Sequence, residues 1–365
     1  LITFSGFKRG INFVKEKILY VRAWDLIEKA KAYHKRENHI KAKECYGNAS
    51  EILNKVSRYN YEAPYYAAWS LLEEAEQISK QNRQEDAIER YKATRIAFEK
   101  TIEILANAFK ETKEKLEGEN IEKLKKVAKL RMNYCSARID LENARILGKQ
   151  GKHLEAAEKF ASAASQFRHV CTRYKIERER KELEAVYYLC RAWESMELAE
   201  KYEEPERFTE AANLFADASN LFTDSKLKWL SSGNSIYCQA LEYGCKFDNS
   251  IELDTKSQLY PKVKTMLRKA ADSYRKGGFE SGADWALATS THFDATWHLI
   301  RADEELDINK KGDMLKIGSR YLESAAELFS TAGYKDKVKH VQEQLKMVEK
   351  EEIIILSALN SIKKP

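Results

Sequence analysis

The sequence predicts an all-α fold built as a stack of antiparallel helix pairs, an α-solenoid. Three observations lead to it: few chain-breaking residues, an apolar period of 3.6, and a helix motif that recurs along the chain. Only 14 glycines and 4 prolines occur in 365 residues, where average usage would give roughly 25 and 18. So few breakers leave room for long helices and little else. With 43% hydrophobic and 33% charged residues, the chain carries enough apolar material for a continuous core, and disorder is excluded.

The helix starts come first from proline. Pro64, Pro205 and Pro261 each sit where an apolar 3.6-residue period begins, the first-turn position at which a missing N–H costs nothing. Turn signals at Asn38, Asn82, Gln150-Gly151, Tyr202 to Pro205, Phe247 to Ser250 and Asp307 to Gly312 then divide the chain into alternating first and second helices. The second helices begin at His39, Gln84, His153, Arg207, Tyr260 and Met314. Each carries a small or aliphatic residue, a large one four positions on and a smaller one three further: Ala42-Tyr46-Ala49, Ala87-Tyr91-Thr94, Ala156-Phe160-Ala163, Ala211-Phe215-Ala218, Val263-Leu267-Ala270 and Ile317-Tyr321-Ser324. Small residues at that spacing line one face and let a neighbouring helix approach while the large side chain fills the gap.

The first helices share a register with the second. Trp24, Trp69 and Trp193 each lie 18 residues before Ala42, Ala87 and Ala211, and Arg138 holds the same place before Ala156. A single solenoid of about six helix pairs over residues 1–350 is expected, followed by a capping helix or tail at 351–365.

In its third unit, GKHLEAAEKFASAA from Gly151, the chain resembles the tetratricopeptide-repeat family: a turn glycine, then Ala, Phe and Ala, with small residues twelve positions before each key alanine at Ala30, Ala75, Ala144 and Ala199. The key positions 42, 87, 156, 211, 263 and 317 are separated by 45, 69, 55, 52 and 54 residues, unlike that family's 34. Longer, unequal hairpins are more similar to the SNAP adaptors of membrane fusion, and the stretch from Phe208 to Gly244 has their mixture of small residues and rings. The resemblance implies a right-handed superhelix that takes a peptide or helical partner on its concave face. It also places the tryptophan position on or beside that face, so the inner wall would carry Trp24, Glu28 and Lys31; Trp69, Glu73 and Glu76; Arg138, Glu142, Arg145 and Lys149; and Trp193, Glu197 and Glu200. The residues alone leave two readings of the tryptophans open, as core packing or as aromatic anchors.

No catalytic set emerges. There is no Gly-rich phosphate loop, the seven histidines are scattered, and no Ser or Cys stands in a nucleophile elbow. Asp294 and His298 are one turn apart, but His292 and His298, six apart, point about 120° away from one another on a helix. That segment reads as hydrogen-bonded residues beside the core, and neither a metal nor a cofactor is expected. Basic and acidic residues, 63 against 57, are interleaved along the chain, which excludes a basic nucleic-acid footprint; unequal repeat spacing also speaks against RNA reading at one unit per base. Cys45, Cys135, Cys171, Cys190, Cys238 and Cys245 fit neither a metal knuckle nor a disulfide framework and read as reduced thiols of a cytoplasmic protein.

The expected function is therefore a protein-interaction scaffold or adaptor, and not an enzyme. Two alternatives accompany it: a regulatory arm of a larger signalling protein, since the chain starts at Leu1 rather than methionine, and a SNAP-like adaptor touching a membrane through Phe4 and Phe7. The apolar run Ile353 to Leu356 is expected either to cap the last pair or to bind another chain.

Overall fold

The computed structural model describes the backbone of residues 4–173 and 177–362, and the side chains of residues 12–173, 177 and 180–358. Among the described residues the chain is all-α, with thirteen α-helices and no strand. It forms two compact units, Leu1–Asn143 and Ala144–Pro365. The first holds α1 (Phe4–Lys35), α2 (His39–Leu53), α3 (Ala63–Lys80), α4 (Gln84–Glu111) and most of α5 (Lys115–Lys149). The second holds α6 (His153–Cys171), α7 (Glu177–Tyr202), α8 (Pro205–Leu221), α9 (Ser225–Asp248), α10 (Leu253–Gly277), α11 (Glu280–Glu304), α12 (Ile308–Ala332) and α13 (Lys335–Ile362). From α1 to α4, and from α6 to α13, each helix packs on the next, the neighbour-to-neighbour order of a solenoid. In the first unit α5 is tied to α3 and α4 by the Tyr134 hydroxyl, which donates to Glu76 (2.8 Å), and by Arg138, which donates to the Tyr91 hydroxyl (2.9 Å).

Five of the turns between helices share one geometry. Glu37, Asn82, Gly151, Gly278 and Gly333 adopt left-handed φ values of 55°, 56°, 72°, 77° and 87°. The residue after each donates its N–H to the carbonyl five positions before it, as Asn38 does to Tyr33 (3.0 Å) and Lys152 to Leu147 (3.0 Å). This is the Schellman closure, which satisfies orphan carbonyls at a helix end and reverses the chain within a few residues.

The second helices α2, α4 and α6 begin at the positions the repeat predicts, and their small-large-small triples are buried, with Ala42, Ala87, Ala156, Tyr91 and Thr94 at 0% exposure. Three expectations need correction. The sixth pair's second helix does not open at Met314: α12 begins at Ile308, inside the turn expected from Asp307 to Gly312. Pro261 does not start a helix: α10 begins at Leu253 and runs through it. Pro261 and Ser257 are both exposed, so the carbonyl that the proline leaves unbonded lies on the solvent side, where a helix tolerates the loss. In the sixth pair the buried triple is Gly318, Leu322 and Ala325, one position after the expected Ile317, Tyr321 and Ser324. A Cβ on Gly318 would sit 2.7 Å from the Leu299 side chain, so glycine serves as the small member there.

The C-terminal segment from residue 351 continues α13 without a break. Only Ile355 of its apolar run is buried, with its side chain against Gly312; Ile353, Ile354 and Leu356 are exposed. At the other end the backbone from Phe4 is helical, and the side chains of Phe4 and Phe7 lie outside the described residues. Among the described residues no helix is long and apolar enough to cross a membrane. Cys135, Cys190 and Cys238 are buried, and all six cysteines are free thiols.

Candidate functional site

The Schellman turn fixes how the ends of two helices face one another. The residue eight positions before a key alanine ends one helix, and the residue three before it starts the next. In the first hairpin these are His34 and His39, in the second Ser79 and Gln84, in the third Gly148 and His153. A glutamate of the following hairpin, one turn after the tryptophan position, meets His34 and His39 in the first case (Glu73), Ser79 in the second (Glu142), and His153 beside Gly148 in the third (Glu197).

In the first unit Glu73 is fully buried and stands between two imidazoles. Its Oε2 lies 2.7 Å from His39 Nδ1 and its Oε1 lies 2.7 Å from His34 Nδ1. Burial works to raise the Glu73 pKa, but the two histidines outweigh it and hold the carboxyl below the usual range. Glu142, also fully buried, accepts from the Ser79 hydroxyl at 2.7 Å, and Arg138 lies 3.5 Å from it while donating to Ser79 at 2.8 Å. In the second unit Glu197 pairs with His153 Nδ1 at 2.7 Å. That hydrogen bond raises the His153 pKa despite partial burial. Gly148 leaves the space that Glu197 fills: a Cβ there would stand 2.5 Å from Glu197 Oε1.

The residues expected on an inner wall therefore take other places. Glu73 and Glu142 are clasps between hairpins rather than exposed charges. Trp69 is 8% exposed and packs against Tyr46, Tyr65 and Phe98. Trp24 is half-buried, edge-on to Tyr20 and Tyr66, with Lys31 over its ring at 5.3 Å. Arg138 binds Tyr91 and Ser79 within the first unit. In the second unit Trp193 is half-buried between Phe160 and Phe215 and stacks toward Trp285 at 6.5 Å. Trp285 in turn lies 5.1 Å from Tyr334 of the turn before α13, almost parallel to it. Lys337 from the same region pairs with Glu200 at 2.8 Å, so the side of α7 that bears Trp193, Glu197 and Glu200 is covered by the chain's own last hairpin. Arg145 and Lys149 are half-buried at the end of α5.

The histidines of α11 join no metal-suited cluster among the described residues. His292 Nε2 is 2.6 Å from Gln344 Oε1, and burial lowers its pKa. Asp294 accepts from the Tyr260 hydroxyl and pairs with Lys264, while the His298 ring stacks on Tyr321 at 5.6 Å. Among the described residues the group suited to a metal is elsewhere, at His34, His39 and Glu73. Sequence reasoning had Glu73 on the right side of α3 but missed both histidines. The available signal was positional: His39 and His153 open their second helices at the same register, three residues before the key alanine.

The first unit also has an open cleft of about 700 Å³ lined by residues including Arg58, Tyr61, Glu114 and Glu117. There Arg58 pairs with both glutamates and Tyr61 donates to Glu117 at 3.3 Å.

No family model matches the chain, and no curated protein matches it.

Proposed function

We propose that the chain is a protein-interaction scaffold, a tetratricopeptide-like helical stack that takes up a helical segment of a partner. The observation that supports this reading is the outer face of α1. Val14, Ile18 and Val21 are spaced i, i+4, i+7 and are 55%, 62% and 67% exposed, with Phe13 beside them at 61%. They lie on the opposite side of α1 from Ala23, Ile27 and Ala30, which are fully buried. A helix apolar on two opposite faces is built to be covered on both. A partner presenting an amphipathic helix would lay its apolar stripe along this face. The reading favours this face over the tryptophan and glutamate register, in which Trp69, Glu73 and Glu142 are buried within the stack.

The test is capture of partners by the immobilised chain compared with a triple variant, Val14→Ser, Ile18→Ser and Val21→Ser. The expected result is a partner retained by the native chain and lost by the variant, with an unchanged melting temperature. Equal capture by both, or turnover of a substrate by the isolated chain, would overturn it.

A further inference from the structure

The clasp of the first hairpin differs from that of the third in one residue and from that of the second in two, and the residue at its helix end carries chemistry. Where the second hairpin ends in Ser79 and the third in Gly148, the first ends in His34. The carboxylate of Glu73 thus faces two imidazoles, and the donor atoms of His34, His39 and Glu73 all lie within 4.8 Å of one another. We propose that these three residues form a binding site for a divalent transition-metal ion of the zinc class.

Two nitrogens and a carboxylate are the donor set that such ions favour, whereas calcium and magnesium take oxygen ligands. Three protein donors also leave a coordination position for water or another ligand. A second observation points to an ion independently of the residue types. His34 Nδ1 and Glu73 Oε1 are both shielded from solvent and face one another at 2.7 Å, an ion-pair contact without full hydrogen-bond alignment. Buried polar atoms in native proteins are nearly always satisfied, and an ion between the two would satisfy both. Its entry needs a small opening: donors in a tetrahedral site with bonds of about 2.1 Å stand about 3.4 Å apart, about 0.7 Å more than the 2.7 Å between each imidazole and the carboxylate here. His34 provides the route, since its side chain is 37% exposed while those of His39 and Glu73 are 7% and 0% exposed. The frame is rigid, because a single turn with Glu37 at a left-handed φ joins the two histidines, and Glu73 sits mid-helix beside Trp69.

The third-hairpin clasp serves as an internal control: His153 and Glu197 make the same imidazole–carboxylate contact with no second imidazole. The experiment titrates the full chain, stripped with chelator, with Co²⁺, followed by displacement with Zn²⁺. The expected result is saturable one-to-one binding with visible d–d absorption, no sulfur-to-cobalt charge-transfer band, and a melting temperature that rises with metal. His34→Ser places at this turn the residue that the second hairpin already carries, so it keeps the clasp and should weaken binding at least about 100-fold. Glu73→Gln should do the same, and if that variant fails to fold, His34→Ser decides alone. His153→Asn should bind like the native chain. Absence of saturable binding, a thiolate charge-transfer band, or undiminished affinity in His34→Ser would overturn the assignment.

Discussion

Glu62 shows how a single buried carboxyl adds to the pH response of the first unit. It is 4% exposed, its one recorded donor is the Tyr20 hydroxyl at a long 3.5 Å, and burial pushes its pKa up to about 7. A folded-state value above the unfolded one means stability that is complete below the ordinary carboxylate range and lost as pH rises through about 7. A shift of this size corresponds to roughly 3 kcal/mol. Denaturant unfolding at pH 5 and pH 8 should therefore show the native chain losing that much more than Glu62→Gln. Glu37 offers a second residue-level case. It holds a left-handed φ of 55° where the third hairpin has Gly151 at 72°, and such a conformation costs a side-chain-bearing residue about 1 kcal/mol. Glu37→Gly gives up only an exposed pair with Lys80, so its urea midpoint should rise.

Between elements, close approach is controlled by glycine and by the clasps. At Gly148 an added methyl would collide with the Glu197 carboxylate, turning it away from His153. In Gly148→Ala the stability should fall by about 1–3 kcal/mol, the cost of a broken buried hydrogen bond. The His153 pKa, raised by that bond, should drop back, which proton NMR titration would detect. The sign is testable in stability too: the native clasp contributes most below the ordinary histidine range and fades as pH rises through the raised value, and the variant should lack this slope. Gly233 performs a similar task where α9 meets α10, since a Cβ there would stand 2.7 Å from the Tyr274 ring.

Across the whole molecule, stability is a sum of hairpins and their interfaces, because from α1 to α4 and from α6 to α13 each helix packs on its sequence neighbour. Trp69 anchors the core of the first unit and Trp285 that of the second. Trp69→Ala should cost about 3–5 kcal/mol, and the loss should be local. Native-state hydrogen exchange is expected to show faster opening of α2 to α4 with protection of α9 to α12 unchanged; equal loss in both would mean that the chain unfolds as one cooperative body.

The fold class was legible in the sequence because it depends on local signals: period, breaker scarcity, and the small-large-small triples, which must repeat wherever helices cross at the same angle. Even the starts of α2, α4 and α6 could be read from residues 39, 84 and 153. The register failed only at the sixth pair, where Gly318 and not Ile317 meets the neighbour, since a buried glycine carries no apolar signal of its own. The candidate site was half legible. A glutamate one turn after Trp24, Trp69, Arg138 and Trp193 is visible in the chain, but whether it faces a groove or a neighbouring hairpin depends on which helix lies against it. The tertiary structure decided this by folding His34 and His39 back through one turn onto Glu73, which lies 34 residues beyond the nearer of them. Sequence spacing determines which residues share a helix face; only packing determines what that face meets.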